Sequence, residues 1–215
     1  MKVWLISDTH NQHEELRVPE CDMVIHCGDE SHHYSPALNA PEAEKFFQWF
    51  TKLDIKHKVF IPGNHSTSVH AGLIKPDKKK ISMLVHQSLV IEGLRIFGSP
   101  FTPSWGKAGA YMRSRHRMMD IWSTLPECDL LVTHGPPQGI LDISVQDKQF
   151  VQCGCKSLLN KVMKIRPKYH CFGHLHDTKG VMNHAVKIVD NINFVNCSCK
   201  KHHKNDIHNG FLLTF

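Results

Sequence analysis

The sequence predicts a layered α/β domain, and two observations carry the prediction. Short apolar, β-branched runs recur along the chain, each closed by polar residues, and several of the gaps between them have helical period. The 215 residues are 41% hydrophobic and 21% charged, a globular balance with enough chain for one substantial core.

Taken in order, the runs expected as strands are Lys2 to Ile6, Met23 to His26, Val59 to Ile61, Leu94 to Phe97, Leu130 to Val132, Tyr169 to Phe172, Asn193 to Val195 and Phe211 to Phe215. Pro41 to Leu53 opens with a proline suited to a first helical turn and carries Phe46, Phe47, Trp49 and Phe50, which read as a core-facing stripe. Met112 to Leu125 and Lys156 to Ile165 are the other expected helices. Gly and Pro punctuate strand ends and do not gather in a linker, so the expectation is one domain over residues 1–215. Ser66 to Lys80, rich in Ser, Lys, Gly and His, is the expected flexible excursion.

Composition narrows the function classes. No apolar run is long enough to span a membrane, and the opening Met-Lys-Val-Trp-Leu-Ile-Ser-Asp is too short for a signal peptide, which points to a cytoplasmic protein. The eight cysteines are then expected as thiols. Cys153/Cys155 and Cys197/Cys199 are spaced more tightly than structural zinc ligands usually are. A formal charge of +6 suits an anionic substrate. The runs Lys78-Lys79-Lys80 and Lys200 to Lys204 lack interleaved aromatics, so nucleic acid is not the favoured partner.

The polar strand ends are the informative part. They read Ser7-Asp8-Thr9-His10, Gly28-Asp29, Pro62-Gly63-Asn64-His65, Thr133-His134-Gly135-Pro136 and Gly173-His174-Leu175-His176. Each alone has an ordinary reading as a turn or helix cap. Five in succession differ, because strand carboxyl ends in α/β sheets share the edge where ligand sites form. Residues two apart in extended chain project to one side, so Asp8/His10 and His174/His176 are each expected to aim at one cluster. Carboxylate, imidazole and amide oxygen suit divalent ions such as Mn²⁺, Fe²⁺ or Zn²⁺. Asp8, His10, Asp29, Asn64, His134, His174 and His176 suffice for two ions sharing one carboxylate.

This ordered set, with the wording "ISDTHNQHEEL", "MVIHCGD", "LRIFGSPF", "LLVTHGPPQGILD" and "YHCFGHLH", resembles the calcineurin-like metallophosphoesterase superfamily over residues 5 to 176. It looks most like the small metallophosphoesterase-domain (MPPED-like) phosphodiesterases. The resemblance implies a four-layer α/β/β/α sandwich of two mixed sheets. It implies one metal on Asp8, His10, Asp29 and His176, and a second on Asp29, Asn64, His134 and His174, with Asp29 bridging. The expected reaction is hydrolysis of a small phosphodiester such as a cyclic nucleotide, by attack of a hydroxide held between two Mn²⁺ ions, with Fe or Zn as alternatives. Asp29 and His65 are then the catalytic residues, His65 contacting the phosphate and assisting the leaving group. A phosphomonoesterase or protein phosphatase, a nuclease and a non-catalytic scaffold are the competing readings.

Two departures bear on His65. Ser66 stands where the pattern has an acid after Gly-Asn-His, and His32 stands where many members place an acid three residues after the bridging aspartate. Glu30 is the nearest acid, at a different spacing. His13, His32 and His33 are candidate substrate contacts, whereas His26 and His170, inside strands, read as core.

Overall fold

In the computed structural model, which describes residues 1–104, 106, 109–202 and 206–215, helices and strands interleave along the whole chain. The first part supplies β1 (Lys2–Ile6), β2 (Met23–His26), α1 (Pro36–Lys52), β3 (His57–Phe60), α2 (Thr67–His70) and β4 (Ser82–Met83). Next come β5 (Gln87–Ile91), β6 (Leu94–Ser99), β7 (Thr102–Pro103), β8 (Met112–Arg113), α3 (Arg115–Ser123) and β9 (Leu130–Thr133). The remainder supplies β10 (Ile143–Gln146), β11 (Gln149–Gln152), α4 (Lys156–Ile165), β12 (Tyr169–Phe172), β13 (Ala185–Val189), β14 (Ile192–Asn196) and β15 (Phe211–Thr214).

Two mixed sheets result. One has the order β15-β1-β2-β3-β4, with β15 antiparallel and the rest parallel. The other runs β13-β14-β12-β9-β6-β5, parallel through its centre and antiparallel at both edges. The central strands are apolar at nearly every position because both faces are buried. Val3, Leu5, Met23 and Ile25 meet Ile96, Leu130, Val132 and Val195 between the sheets. On the opposite faces Trp4, Ile6, Val24 and Phe60 pack under α1, and Leu131, Phe172 and Phe194 pack under α3 and α4. The four-layer α/β/β/α sandwich is the observed architecture.

The helices obey their spacing. Ala43, Phe46, Phe47 and Phe50 form the buried stripe of α1, and Leu158 and Val162, one turn apart, bury α4. Three helix starts differ from expectation. α1 begins at Pro36, so Pro41 lies inside it, and the extra turn carries buried Asn39. α3 begins at Arg115, where Ser114 Oγ accepts from Arg117 N at 3.3 Å and caps the helix. The expected excursion from Ser66 starts with α2, whose Thr67, Ser68 and Val69 are buried.

Register places the site. Ile6, His26 and Phe60 stand level across β1, β2 and β3, and Ser99 pairs with Thr133 across β6 and β9. Parallel strands in register release their loops at one edge. The two sheets meet there through a Ser7–Ser198 bridge, with Cys199 N donating to Ser7 O at 2.7 Å. All eight cysteines are free thiols. Cys197 faces the inter-sheet core and Cys199 the α1 side, so past the end of β14 the two thiols point into different packing clusters and do not form one ligand set. Lys78, Lys79 and Lys80 are exposed; of the second basic run, His203 and Lys204 lie outside the described residues.

Candidate metal centre

The loops leaving β1 and β2 are zipped together, Asp8 N to Gly28 O at 2.8 Å, His10 N to Asp29 O at 3.2 Å and Asn11 N to Glu30 O at 3.1 Å. Asp8, His10, Asp29 and His174 all have left-handed backbone, with φ of 53°, 40°, 60° and 69°. Non-glycine residues held there concentrate at functional sites. The expectation from strand alternation is corrected: the segments holding Asp8/His10 and His174/His176 are turns, and their pairs converge because the chain bends, not because it is extended. Glycine allows the crowding, since a Cβ on Gly63 would overlap Asp29 Oδ1 and one on Gly173 would overlap Asp8 Oδ2.

All seven expected metal ligands come together. Three sets of potential ligand atoms lie within 4.8 Å of one another: Asp8/His10/His176, Asp29/His134/His174 and His10/Asp29/His65. His176 Nε2 is 3.1 Å from Asp8 Oδ1 and 3.2 Å from His10 Nε2. His134 Nε2 is 3.3 Å from Asp29 Oδ2 and 2.9 Å from Asn64 Oδ1. Each carboxylate is anchored by a backbone donor from another strand end, His174 N to Asp8 Oδ2 at 2.8 Å and His65 N to Asp29 Oδ1 at 2.7 Å.

The donor set fits metal ions for a specific reason. His10 Nδ1 donates to Ser31 O and His134 Nδ1 to Cys27 O, both at 2.9 Å, which in the neutral rings leaves each Nε2 a lone pair. The His134 Nε2 faces the Asp29 and Asn64 oxygens, and the His10 Nε2 faces the His176 Nε2. A cluster of converging acceptors is satisfied by a cation. The electrostatics agree. Burial raises the Asp8 and Asp29 carboxyls, but His176 beside Asp8, and His134 and His65 beside Asp29, hold both below the usual carboxylate range. Burial lowers the His134 imidazole, yet the Asp29 charge and hydrogen bond outweigh it and push it up to about 9, so without a cation Nε2 takes a proton from solution that a bound metal ion would displace. His10 and His174 are pushed down to about 3, first by burial and then by neighbouring imidazoles, and so remain neutral ligands.

His65 sits at the lip. Its Nδ1 donates to the His32 carbonyl at 2.5 Å, so the backbone of residue 32 does the orienting for which a side-chain acid was expected. The Tyr34 ring lies 4.0 Å from the His65 ring, and Tyr34 Oη accepts from Asn64 Nδ2 at 3.1 Å, which turns Asn64 Oδ1 toward His134. The cleft encloses about 490 Å³ and is lined by Asp29, Tyr34, Asn64, His65, His174, Leu175 and His176, faced by Ser144, Gln146 and Cys153. Ser144 and Gln146 belong to β10, which pairs with β11 as a hairpin.

The candidate substrate histidines divide. The His32 ring lies 5.8 Å from that of His10 and 6.0 Å from that of His65, beside the ligand cluster. His33 is exposed, 3.7 Å from Glu42 Oε1. His13 is corrected: it is buried against Phe46 and Trp49, and burial pushes it down to about 4. A histidine turned under α1 is core, not a substrate contact. His26 and His170 are core as expected, with His170 Nε2 2.8 Å from Thr133 Oγ1.

Five residues carried no motif signal yet shape the site: Tyr34, Asn39, Glu42, Ser144 and Gln146. Glu42 Oε2 accepts from the His32 and His33 backbone at 2.9 and 3.0 Å. Glu30 is fully buried, which pushes its carboxyl up to about 7 against the Ser66 hydrogen bond.

The sequence pattern described as "Calcineurin-like phosphoesterase" matches residues 1–178. Metallophosphoesterase domain-containing protein 1 of Homo sapiens is 33% identical over 204 residues, covering 82% of this chain. The chain spans 61% of that protein's length. A UPF0046 protein of Caenorhabditis elegans is 31% identical, covering 94% of this chain and 71% of its own. Among solved structures, phosphopantetheinyl hydrolase from Mycobacterium tuberculosis aligns with TM-score 0.60 and 15% identity, over 92% of this chain and 88% of that one. The protein TT1561 of Thermus thermophilus aligns at 0.57 and 9% identity, over 92% and 88%. At these identities the two structures speak to the fold alone.

Proposed function

This chain belongs to the calcineurin-like phosphoesterase family, and on that premise we propose that it is a metal-dependent phosphodiesterase acting on a small phosphodiester such as a cyclic nucleotide. The observation that carries the reading is the position of Asp29, whose carboxylate joins His134 and His174 in one ligand set and His10 and His65 in another. Asp8, His10 and His176 would hold one divalent ion and Asn64, His134 and His174 a second, with Asp29 shared. When bound, two such ions supply charge neutralisation of phosphate oxygens and activation of a water. Mn²⁺ is the first choice, with Fe or Zn as alternatives, because the donors are nitrogen and oxygen without thiolate.

The chain's own residues do the rest. His65, held by the His32 carbonyl at Nδ1, can in its protonated form give the Nε2 proton to the departing alkoxide oxygen. Tyr34 keeps Asn64 and His65 in place from one side. Ser144 and Gln146 face the site from the other and offer uncharged hydrogen-bonding groups to the ester's second substituent. Among the described residues, neither Lys nor Arg lines the cleft. A monoester dianion calls for such fixed cations more than a diester monoanion does, which favours the diester. The test is turnover of bis-p-nitrophenyl phosphate against p-nitrophenyl phosphate with added Mn²⁺. A preference for the monoester would replace this reading with a phosphomonoesterase.

A further inference from the structure

Glu30 is 0% exposed, beside the residue proposed to bridge the two ions. A carboxyl in that position is costly unless its oxygens are used. Oε2 accepts from Ser66 Oγ at 2.6 Å and Oε1 from Ser31 Oγ at 3.0 Å. Both hydroxyls belong to segments that carry the site.

Ser66 Oγ in turn accepts from Gly63 N at 2.8 Å, while Ser66 N donates to Gly63 O at 3.2 Å. The turn 63–66, which contains Asn64 and His65, is thereby closed on both of its backbone groups. Glu30 fixes the rotamer that closes it. On the other arm, Ser31 O is the acceptor for His10 Nδ1 at 2.9 Å. Ser31 Oγ accepts from Asn39 Nδ2 at 2.7 Å, and Asn39 Nδ2 also donates to His65 O at 2.7 Å. One carboxyl thus ties together the loop of Asp29, the acceptor that sets the His10 tautomer and the turn of Asn64 and His65.

We propose that Glu30 is the positioning residue of the metal centre, its buried side chain acting through Ser66 and Ser31 to hold Asn64, His65 and His10 in register with Asp29. A short hydroxyl at position 66 and a carboxyl at position 30 act together: the serine reaches the turn, and the glutamate reaches the serine. The proposal rests on the reading of this cluster as a metal site, and adds to it how the strand ends are kept aligned.

The experiment compares the full chain with Glu30→Gln, Ser66→Ala, Glu30→Ser, Ser66→Glu and the exchange variant Glu30→Ser/Ser66→Glu. Mn²⁺ affinity is measured by calorimetry on EDTA-treated protein, folding by circular dichroism and thermal melting, and kcat and KM on bis-p-nitrophenyl phosphate. Glu30→Gln, which keeps shape and volume, is expected to fold and to bind Mn²⁺ on the order of 10-fold more weakly, in the range for loss of an outer-shell partner. Its kcat is expected to fall more than its KM rises. The exchange variant is expected to recover most of the affinity that Glu30→Ser and Ser66→Glu each lose, which a merely space-filling role would not produce.

Mn²⁺ affinity of folded Glu30→Gln within twofold of wild type overturns the proposal. So does an exchange variant no better than its parents. If Glu30→Gln does not fold, Ser66→Ala decides, because it removes one hydroxyl and leaves the carboxyl in place; unchanged affinity there also overturns the idea. A wild type that binds Mn²⁺ without turning over the diester would sink the phosphodiesterase reading, while the binding data would still decide the role of Glu30.

Discussion

Histidines occupy two regions of this molecule that burial alone does not distinguish. His26 in β2 and His170 in β12 are within the strands; His10 and His134 lie just past the ends of β1 and β9. All four are buried, and the tautomers separate them. In the strands, Gly28 N donates to His26 Nδ1 at 3.2 Å, leaving Nε2–H for Thr9 Oγ1 at 3.1 Å. Thr133 Oγ1 gives its proton to Gly135 O at 2.7 Å and so accepts from His170 Nε2–H. At the strand ends Nδ1–H is pinned by a backbone carbonyl, and Nε2 turns toward the metal-capable atoms of other strand ends, Asp29 and Asn64 oxygens for His134 and His176 Nε2 for His10. What marks a candidate ligand is an Nε2 aimed at the carboxylate, amide or imidazole atoms of other strand ends, not a low exposure or a depressed pKa.

The sharpest way to break this contrast is to remove the acceptor that both ligand sets share. Asp29→Ala should lower Mn²⁺-dependent phosphoester hydrolysis by more than about 100-fold, beyond the range for outer-shell partners, and abolish tight Mn²⁺ binding. Activity within tenfold of wild type would mean that the acceptor cluster is not the reacting centre. His65→Ala divides the cluster from the lip. Turnover should fall on the order of 100-fold, as for loss of a general acid, with Mn²⁺ affinity retained. A parallel loss of affinity would instead make His65 a ligand, as its grouping with His10 and Asp29 permits.

Removing the cations should destabilise the strand ends without touching the strand interiors. At metal concentrations near 100 times the dissociation constant, binding to the folded state alone contributes about 2.7 kcal/mol. For a chain of this size that corresponds to a fall in Tm of about 5–10 °C on adding EDTA. A melting temperature indifferent to EDTA and to added Mn²⁺ would leave the converging acceptors without the partner their geometry calls for.

The same contrast accounts for what the sequence made legible. Central strands were readable because burial on both faces keeps them apolar throughout. The edge strands β5 and β13 were not, since much of each is exposed and its side chains mix with loop chemistry. Five polar strand ends located the cleft because parallel register turns separation in sequence into adjacency in space. The extra turn of α1 was hidden by Pro41, which reads as a helix start when Pro36 already is one. Asn39 and Glu42 act through partners 6 to 31 positions away, and Ser144 and Gln146 act across the cleft; no local spacing encodes either. His13 went wrong for a related reason: its three-residue offset from His10 suggested proximity, whereas the turn after His10 sends it under α1.

The smallest expected effect tests the strand-interior half of the contrast. Burial pushes both His26 and His170 down from 6.5 to about 3. Between those values the unfolded chain holds a proton on each ring and the folded chain does not. Stability is therefore fully present above pH 6.5 and is lost as pH falls toward 3, at a slope approaching about 1.4 kcal/mol per pH unit for each ring. His170→Gln keeps a donor for Thr133 Oγ1 and removes the titration. Urea unfolding in EDTA, at pH 7, 6 and 5, should show wild type losing stability faster than the variant, by nearly that slope for one histidine in the lowest interval. Parallel slopes would mean that His170 already takes up its proton in the folded state. The imidazolium would then need an acceptor at Nδ1, and among the described residues that nitrogen has no hydrogen-bond partner.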